Sequence, residues 1–245
     1  MGLHHYGTMT QVNGARHDWR RLHAAAMDRI LLDRKRLASF KEPARRYSKR
    51  LFDIAVALLL LALLSPLLLA VTALIVRDGG KILFGHRRIG AQGRAFKCWK
   101  FRSMVPNAEA VLKQLLEESE EARAEWERDF KLRNDPRITP IGRFLRSTSL
   151  DELPQLINVL AGDMSLVGPR PIVADEVARY GAAFHDYTSC RPGITGIWQI
   201  SGRNDTGYTQ RVQLDQHYAR NWSFAADLAV LLRTPIAVLR RSGAY

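Results

Sequence analysis

Asp151 and Glu152 are adjacent carboxylates in a segment that could place them for chemistry. They lie in STSLDELPQLINVLAGD, residues 147–163, where the sequence predicts a helix over about 151–160. A helix that begins at Asp151 puts Pro154 in the first turn, where no backbone donor is required. The helix dipole then favours the ionised carboxylate, which is a competent nucleophile or metal ligand.

A capping box is the alternative interpretation of the same residues. Ser149 and Glu152 have the S-x-x-E spacing in which the glutamate only caps the helix. That frame puts Pro154 at the fifth helical position, where the missing N–H deletes a helical hydrogen bond. We therefore favour the later start. An N-cap aspartate is also an ordinary structural feature, so both roles of Asp151 remain open on these residues alone.

Lys100 lies in a segment that predicts a small cationic face. KILFGHRRIG (81–90) and RAFKCWKFRSM (94–104) predict two short strands, joined by a turn at Ala-Gln-Gly. Alternation along the second strand puts Lys100 and Arg102 on one face together with Cys98. Such a face could bind phosphates, and the alternative is a solvated strand face.

Two further arginines lie in loops that could present them to an anion. Arg170 stands between two prolines in GPRP (168–171), which stiffen the backbone and lower the entropy lost when the guanidinium binds. Arg203 lies near a turn in the glycine-punctuated segment 190–205. That segment matches neither common glycine-rich phosphate-loop pattern.

Residues 54–76, IAVALLLLALLSPLLLAVTALIV, form an apolar segment without a charged residue. As a straight helix it would be about 35 Å long, enough to cross a hydrocarbon layer of about 30 Å. Ser65 and Pro66 stand in its middle and predict a break, because proline removes a helical hydrogen bond.

Basic residues flank this apolar segment on both sides, and basic flanks favour the cytoplasmic side. A helix–break–helix that enters and leaves by the same face satisfies both flanks, whereas a single crossing satisfies one. We therefore predict a re-entrant membrane hairpin. Lys49 and Arg50, just before the apolar run, are expected to contact lipid headgroups.

Composition narrows the class of protein. The 245 residues carry 37 basic and 24 acidic side chains, a net charge of +13, which suggests a polyanionic partner. The apolar segment favours anionic membrane lipid or phosphorylated substrates, and without a nucleic-acid-binding motif we expect no nucleic-acid partner. Two cysteines do not suggest a disulfide framework. The mean hydropathy of −0.18 indicates a soluble-like domain with one apolar insert.

The remaining segments predict mainly helices. Residues 107–131 form one charged amphipathic pattern, 211–222 another helix, and 227–245 a tail that could pack beside the apolar segment. The predicted fold class is α+β: a mainly helical membrane-associated domain with a re-entrant hairpin and a small β element. We expect a basic leader over 1–44, either an interfacial helix or disordered, the membrane helix over 45–80, and a cytoplasmic catalytic domain with interfacial helices over 81–245.

Four segments in the same order resemble the monotopic bacterial phosphoglycosyl transferases, which start exopolysaccharide, O-antigen and related glycan assembly. They are KRLFDIAVALLLLALLSPLLL, KFRSM, SLDELPQLINVLAGDMSLVGPRP and RPGITGIWQISGRN. The resemblance covers about residues 45–245 and is highly specific, because four separated motifs share it. The chain resembles the compact members of the exopolysaccharide-initiating type, and its LRRSGAY ending resembles that of the galactose-type starters.

The resemblance implies transfer of a hexose 1-phosphate from a UDP-sugar, galactose favoured and glucose next, to undecaprenyl phosphate, with release of UMP. It implies that Asp151 is the nucleophile, giving an aspartyl-phosphosugar intermediate, and that Glu152 helps to hold Mg²⁺. Arg146, Lys100 and Arg170 fall on family positions near the substrate phosphates. The implied location is monotopic, at the cytoplasmic face of the bacterial inner membrane.

A non-enzymatic alternative also fits the composition. A basic membrane-anchored scaffold could recruit partners through its cationic surface without catalysing a reaction. Release of UMP from a UDP-sugar distinguishes the two hypotheses.

Overall fold

The structure is a computed structural model that describes residues 43–77, 79–129, 132, 134–202 and 207–239. The expected leader, apart from its last two residues, lies outside this range. Contacts group Arg46–Tyr245 as one compact unit.

The helices and strands match the predicted α+β class, since helices predominate and the sheets are small. The strands are β1 Leu83–Ile89, β2 Ala95–Phe101, β3 Ser165–Val167 and β4 Gly193–Thr195. The α-helices are α1 Pro43–Arg77, α2 Ala108–Glu118, α3 Glu120–Asp129, α4 Pro140–Thr148, α5 Gln155–Ala161, α6 Val177–Tyr180, α7 Phe184–Thr188, α8 Ile197–Ile200, α9 Tyr208–Arg220 and α10 Phe224–Leu239.

Helix α1 continues through Pro66, contrary to the expected helix–break–helix. Proline has no N–H, so the carbonyl of Ala62, four residues earlier, loses its helical donor. The hydroxyl of Ser65 donates to that carbonyl at 2.8 Å and replaces the missing bond. A neighbouring serine is a common way to tolerate proline inside an apolar helix.

One face of α1 packs on the rest of the protein, and the other is exposed. Ala57 in its first half and Val71 and Ile75 in its second half are buried, whereas Leu63 and Leu69 are about 70% exposed. Tyr47–Arg77 is long and apolar enough to cross a membrane, judged by length and composition.

Two apolar clusters form the core, and α1 contributes to both. The larger joins Ala57 to β2, α5, β3, α9 and α10 through the buried residues Cys98, Leu156, Val159, Met164, Leu166, Val167, Tyr218 and Val230. The smaller joins Val71 and Ile75 to Phe101 and Leu145. The expected packing of the tail beside the apolar segment is confirmed for α10, because Val230 and Leu231 lie in the larger cluster with Ala57.

The predicted hairpin is confirmed. Strands β1 and β2 pair antiparallel in the register that sets Gly85 opposite Trp99 and Arg87 opposite Lys97. The turn is a 3₁₀ helix over Ala91–Gly93. A second, parallel pair of strands, β3 and β4, was not predicted.

The single helix expected over 107–131 is two helices, because the chain turns at Ser119. The backbone of Ser119 is extended (φ −125°, ψ 115°), which ends α2. The Ser119 hydroxyl then accepts a hydrogen bond from the backbone N–H of Ala122 at 3.1 Å, so it caps the start of α3.

Candidate active site

Asp151 and Glu152 lie in a tight turn between α4 and α5. Helix α4 ends at Thr148, the next residue Ser149 adopts the left-handed conformation (φ 57°), and a 3₁₀ turn follows over Leu150–Glu152. Helix α5 begins only at Gln155. The expected helix over 151–160 therefore starts later than predicted. The capping box is absent, since Ser149 makes no side-chain cap bond.

Lys100 binds both carboxylates of this turn. Its ammonium donates to Glu152 Oε1 at 2.6 Å and lies 3.5 Å from Asp151 Oδ2. The side chain of Asp151 is 9% exposed and that of Glu152 is 25% exposed. Burial raises the pKa of Asp151 above its ordinary value, and the positive charge of Lys100 offsets part of the increase. Lys100 thus favours the ionised form of a buried carboxyl.

Asn158 fixes the strand of Lys100 against the helix that follows the two carboxylates. Its side chain accepts from the N–H of Trp99 at 2.9 Å and donates to the carbonyl of Lys97 at 2.7 Å. These bonds imitate the pairing of a neighbouring strand. Because Asn158 lies on α5 and is 1% exposed, they set the position of β2 relative to the Asp151 turn.

Arg146 lies close to Asp151 on α4. Its Nε donates to the hydroxyl of Ser103 at 2.9 Å. Burial lowers the pKa of Arg146, and the negative charge of Asp151 counteracts that shift. Close packing positions α4 here, since a Cβ on Gly142 would lie 1.9 Å from the carbonyl oxygen of Ser103. Arg146 therefore contributes positive charge beside the nucleophile candidate.

A small open cleft borders this turn. Its lining combines cations, one carboxylate and small or amide side chains: Arg88, Cys98, Lys100, Glu152, Gln155, Arg170, Pro171, Gly193, Ile194 and Gln199. Lys100, Glu152 and Arg170 were expected near one another, and the structure brings them together. The cleft is thus suited to a phosphorylated ligand.

Arg170 reaches the cleft from a loop packed tightly on β4. A Cβ on Gly193 would lie 2.1 Å from the backbone nitrogen of Gly168, so both positions require glycine. The guanidinium of Arg170 stacks over the ring of Trp198 at 5.3 Å from its centroid. An aromatic face holds the cation without neutralising its charge, which leaves that charge for an anion.

Arg88 is a cleft cation that the sequence reasoning missed. It donates from Nη1 to the carbonyl of Pro171 at 3.2 Å, next to Arg170. In the hairpin register Arg88 is opposite Phe96, and cross-strand partners share a face with every second residue of each strand. Arg88 therefore shares the face of Cys98 and Lys100. The predicted position of the hairpin turn was therefore enough to place Arg88 on the same face as Lys100.

Arg102, expected on the strand of Lys100, follows the last residue of β2 and serves another purpose. It lies outside the cleft and donates to the carbonyls of Ile75, at 3.0 Å, and of Gly79, at the end of α1. A cation at a helix C-terminus satisfies carbonyls that have no helical donor. Arg203, the other expected phosphate contact, lies outside the part of the chain that the structure describes.

Lys49 and Arg50 have protein partners where we expected lipid headgroups. Lys49 forms an ion pair with Asp227 of α10 at 2.5 Å. Arg50 donates to the carbonyls of Val159 and Leu160, at 2.5 and 2.9 Å, near the C-terminus of α5. The reason is that a buried carboxylate needs a cation, and carbonyls in the last turn of a helix favour one because they lack some of their helical donors.

The two carboxylates fit the implied Mg²⁺. Asp151 and Glu152 both approach one ammonium group, so their oxygens converge on a position that favours positive charge. Mg²⁺ is commonly bound by one or two carboxylates, with phosphate oxygens and waters as its other ligands. Within the described ranges no group of three or more His, Cys, Asp or Glu could hold a metal, so phosphate and water would complete the set.

The arrangement can support nucleophilic attack on a phosphate. A carboxylate stands at the edge of a cleft where Lys100, Arg88 and Arg170 can neutralise phosphate oxygens. Phosphoryl transfer depends mainly on such positioning and charge neutralisation.

Comparison with known proteins identifies several similar chains. This chain is 56% identical over 200 residues to the undecaprenyl-phosphate galactose phosphotransferase of Salmonella typhimurium, covering 82% of this chain and 42% of that protein. It is 50% identical over 204 residues to the exopolysaccharide production protein ExoY of Sinorhizobium fredii, covering 83% of this chain and 90% of that protein. It is 38% identical over 208 residues to the UDP-glucose:undecaprenyl-phosphate glucose-1-phosphate transferase of Klebsiella pneumoniae, covering 80% of this chain and 41% of that protein.

The relatives differ in length, and the chain spans about two fifths of the Salmonella protein. A family match covers most of the chain, from residue 44 to residue 241. It includes α1, both strand pairs and every cleft residue. The chain therefore belongs to the bacterial sugar transferase family.

Proposed function

We propose that this protein moves a hexose 1-phosphate from a UDP-sugar to undecaprenyl phosphate and so initiates exopolysaccharide assembly. The observation that carries the proposal is the Asp151 carboxylate, held beside Lys100 at a cleft lined by arginines. The names of the relatives from Salmonella typhimurium and Klebsiella pneumoniae support a galactose or glucose donor, and the higher identity favours galactose.

In the first half-reaction an oxygen of Asp151 attacks the β-phosphorus of the UDP-sugar. A bond forms between that oxygen and phosphorus, and the bond from phosphorus to the bridging oxygen breaks, which releases UMP. The sugar phosphate remains on the aspartate as a mixed anhydride. Lys100 favours the ionised carboxylate, and the cations of the cleft stabilise the charge on the phosphate oxygens.

In the second half-reaction a phosphate oxygen of undecaprenyl phosphate attacks the same phosphorus. The bond to Asp151 breaks, the carboxylate is regenerated, and the product is a polyprenyl diphosphate sugar. Arg170 and Arg88 are placed to bind the incoming phosphate as they bound the diphosphate.

Glu152, with Asp151, would hold Mg²⁺. When bound, Mg²⁺ supplies positive charge to the phosphate oxygens. Glu152 then has two tasks, as a ligand and as the partner of Lys100 at 2.6 Å.

The proposal includes a monotopic placement of α1, with both of its ends at the cytoplasmic face of the inner membrane. Support comes from both ends of the helix, which are bonded to the same domain. Arg50 holds the first end to α5, and Arg102 holds the other to β2. A helix that crossed the bilayer would separate these ends by about 30 Å of hydrocarbon. Tags before Arg45 and after Tyr245 should both be accessible only from the cytoplasm, and opposite accessibility would contradict the placement.

Release of UMP by the purified protein tests the reaction. The chain in detergent or lipid, with Mg²⁺ and undecaprenyl phosphate, is given UDP-galactose, UDP-glucose and N-acetylated UDP-sugars in turn. We expect UMP release with UDP-galactose first and UDP-glucose next, and a covalent sugar-phosphate adduct when the acceptor is left out. Absence of UMP with every donor would favour the membrane-anchored scaffold instead.

A further inference from the structure

Glu176 is a partly buried carboxylate behind the cleft that the proposed reaction does not use. It ends a 3₁₀ turn over Ala174–Glu176, shortly after the loop of Arg170. Its Oε2 accepts from the backbone N–H of Val173 at 2.9 Å and lies 3.8 Å from Nη1 of Arg88. Its Oε1 accepts from Nη1 of Arg211 on α9 at 3.0 Å.

The cleft requires such a carboxylate because its cations repel each other. Burial lowers the pKa of Arg88, and the nearby charge of Arg170 lowers it further, whereas Glu176 raises it. The side chain of Arg88 is only 16% exposed, so water screens this repulsion weakly. A fixed anion behind Arg88 can hold it next to Arg170 when no phosphate is bound.

The second cleft arginine is connected to Glu176 through Arg211. The guanidinium of Arg211 lies 5.1 Å from the centroid of the Trp198 ring, and that of Arg170 lies 5.3 Å from the same centroid. The side chain of Arg211 is 8% exposed and is paired with Glu176. Glu176 thus forms an ion pair with Arg88 at 3.8 Å, and it is linked to Arg170 through Arg211 and the ring of Trp198.

We propose that Glu176 is a positioning residue that holds Arg88 and Arg170 at the spacing needed to bind the diphosphate of the donor. It touches neither the donor nor the reacting atoms. The inference rests on the proposed function, because its substrate is the UDP-sugar of that reaction. Prior ordering of the two guanidinium groups lowers the entropy lost on binding. Loss of Glu176 should therefore weaken the affinity for the UDP-sugar.

Replacement of Glu176 by glutamine tests this role. Glu176→Gln keeps the size of the side chain and removes its charge. We expect KM for the UDP-sugar to rise about tenfold or more, the range for a lost hydrogen bond to a charged group, with kcat changed less than threefold. A KM within twofold of that of the unaltered protein would overturn the proposal.

Asp186 provides a matched control. It also pairs with an arginine of α9, at 2.9 Å from Arg220 Nη2, but neither residue lines the cleft. Asp186→Asn should leave KM for the UDP-sugar within twofold. If Asp186→Asn raised KM as much as Glu176→Gln, the effect would be a general result of loosening α9, and the positioning role would be wrong.

A double variant separates positioning from general stability. If Glu176 acts largely through Arg88, adding Glu176→Gln to Arg88→Gln should raise KM by less than about threefold further. If the increase in KM of the double variant equals the product of the two single increases, Glu176 does not act through Arg88. Should Glu176→Gln fail to fold, Glu176→Asp decides, because it keeps the charge but is one methylene shorter: KM should rise at least about threefold, and an unchanged KM would contradict the proposal.

The same assay distinguishes failure of the inference from failure of the proposed reaction. If the unaltered protein releases no UMP from any UDP-sugar, the proposed function is wrong and the inference falls with it. If the unaltered protein is active and Glu176→Gln keeps its KM, only the positioning role is wrong.

Discussion

Two lysine–aspartate pairs in this protein differ in how completely the carboxylate is bonded. Asp227 lies 2.5 Å from Lys49 and also accepts from the hydroxyl of Tyr218 at 2.8 Å and the indole N–H of Trp222 at 2.9 Å. Asp151 lies 3.5 Å from Lys100, whose short contact of 2.6 Å goes to Glu152 instead.

The difference is the one expected between a structural carboxylate and the proposed nucleophile. Asp227 is 1% exposed, and its donors occupy both of its oxygens, so it joins α10 to α1 and has no oxygen for another reaction. Asp151 is next to Glu152 and Lys100, which line the cleft, and it shares Lys100 with Glu152. A buried carboxylate with incomplete bonding costs stability, and such groups concentrate where chemistry requires them.

Replacement of each aspartate by asparagine should give the largest difference between the two pairs. Asp151→Asn removes the nucleophile and should reduce UMP release by at least about 10³-fold, and no covalent adduct should form. Asp227→Asn should keep kcat within about threefold but lower the free energy of unfolding by about 3 kcal/mol, because Lys49 loses its partner. The measurements are UMP release, adduct formation with radiolabelled donor, and thermal unfolding.

The reverse result would break the comparison. Full UMP release by Asp151→Asn would show that another group is the nucleophile. Loss of turnover by a folded Asp227→Asn variant would show that the tie between α1 and α10 takes part in the reaction.

The two lysines give a smaller contrast of the same kind. Lys100→Gln removes one cation from the phosphate site and should lower kcat about 10²-fold. It should lower the unfolding temperature less than Lys49→Gln, because Asp151 lies 3.5 Å from its lysine and Asp227 lies 2.5 Å from its own. Lys49→Gln should leave kcat within about threefold and lower the unfolding temperature, because Asp227 remains buried without its cation. Equal effects of the two variants on kcat would contradict the assignment of separate roles.

The sequence indicated the proximity of Lys100 and Asp151 better than that of Lys49 and Asp227. Asp151, Glu152 and Lys100 lie in short motifs with distinctive spacing, and the structure brings them together. Lys49 and Asp227 are 178 residues apart, and Arg50 and Val159 are 109 apart. Local patterns contain no information about such partners, so the headgroup role assigned to Lys49 and Arg50 ignored the internal carboxylate and carbonyls.

Element boundaries depended on single residues with unusual backbone angles. The hairpin of β1 and β2 was predicted because seven-residue strands show alternation, whereas β3 and β4, with three residues each, are too short to show a period. The left-handed conformation of Ser149 delayed α5, and the extended conformation of Ser119 divided one predicted helix into two. Neither serine is a glycine or proline, so no turn signal marked it.

The pH dependence of the reactive pair gives the smallest expected effect. Burial raises the pKa of Asp151 above its ordinary value of 3.8, and Lys100 offsets part of that shift. Because the nucleophile must be ionised, kcat should fall as the pH falls through this raised pKa. In Lys100→Gln the fall should begin at a higher pH, because the offset is lost.

Stability should change in the opposite direction over the same pH window. A carboxyl whose folded pKa is raised contributes stability below its unfolded pKa, and this contribution is lost as the pH rises through the folded pKa. The unaltered protein should therefore gain activity and lose a little stability as the pH rises through that range. Asp151→Asn cannot ionise, so its unfolding temperature should lack this decline. If Asp151→Asn kept the whole decline, the titrating group would lie elsewhere, and Asp151 would not be the incompletely bonded carboxylate that distinguishes the two pairs.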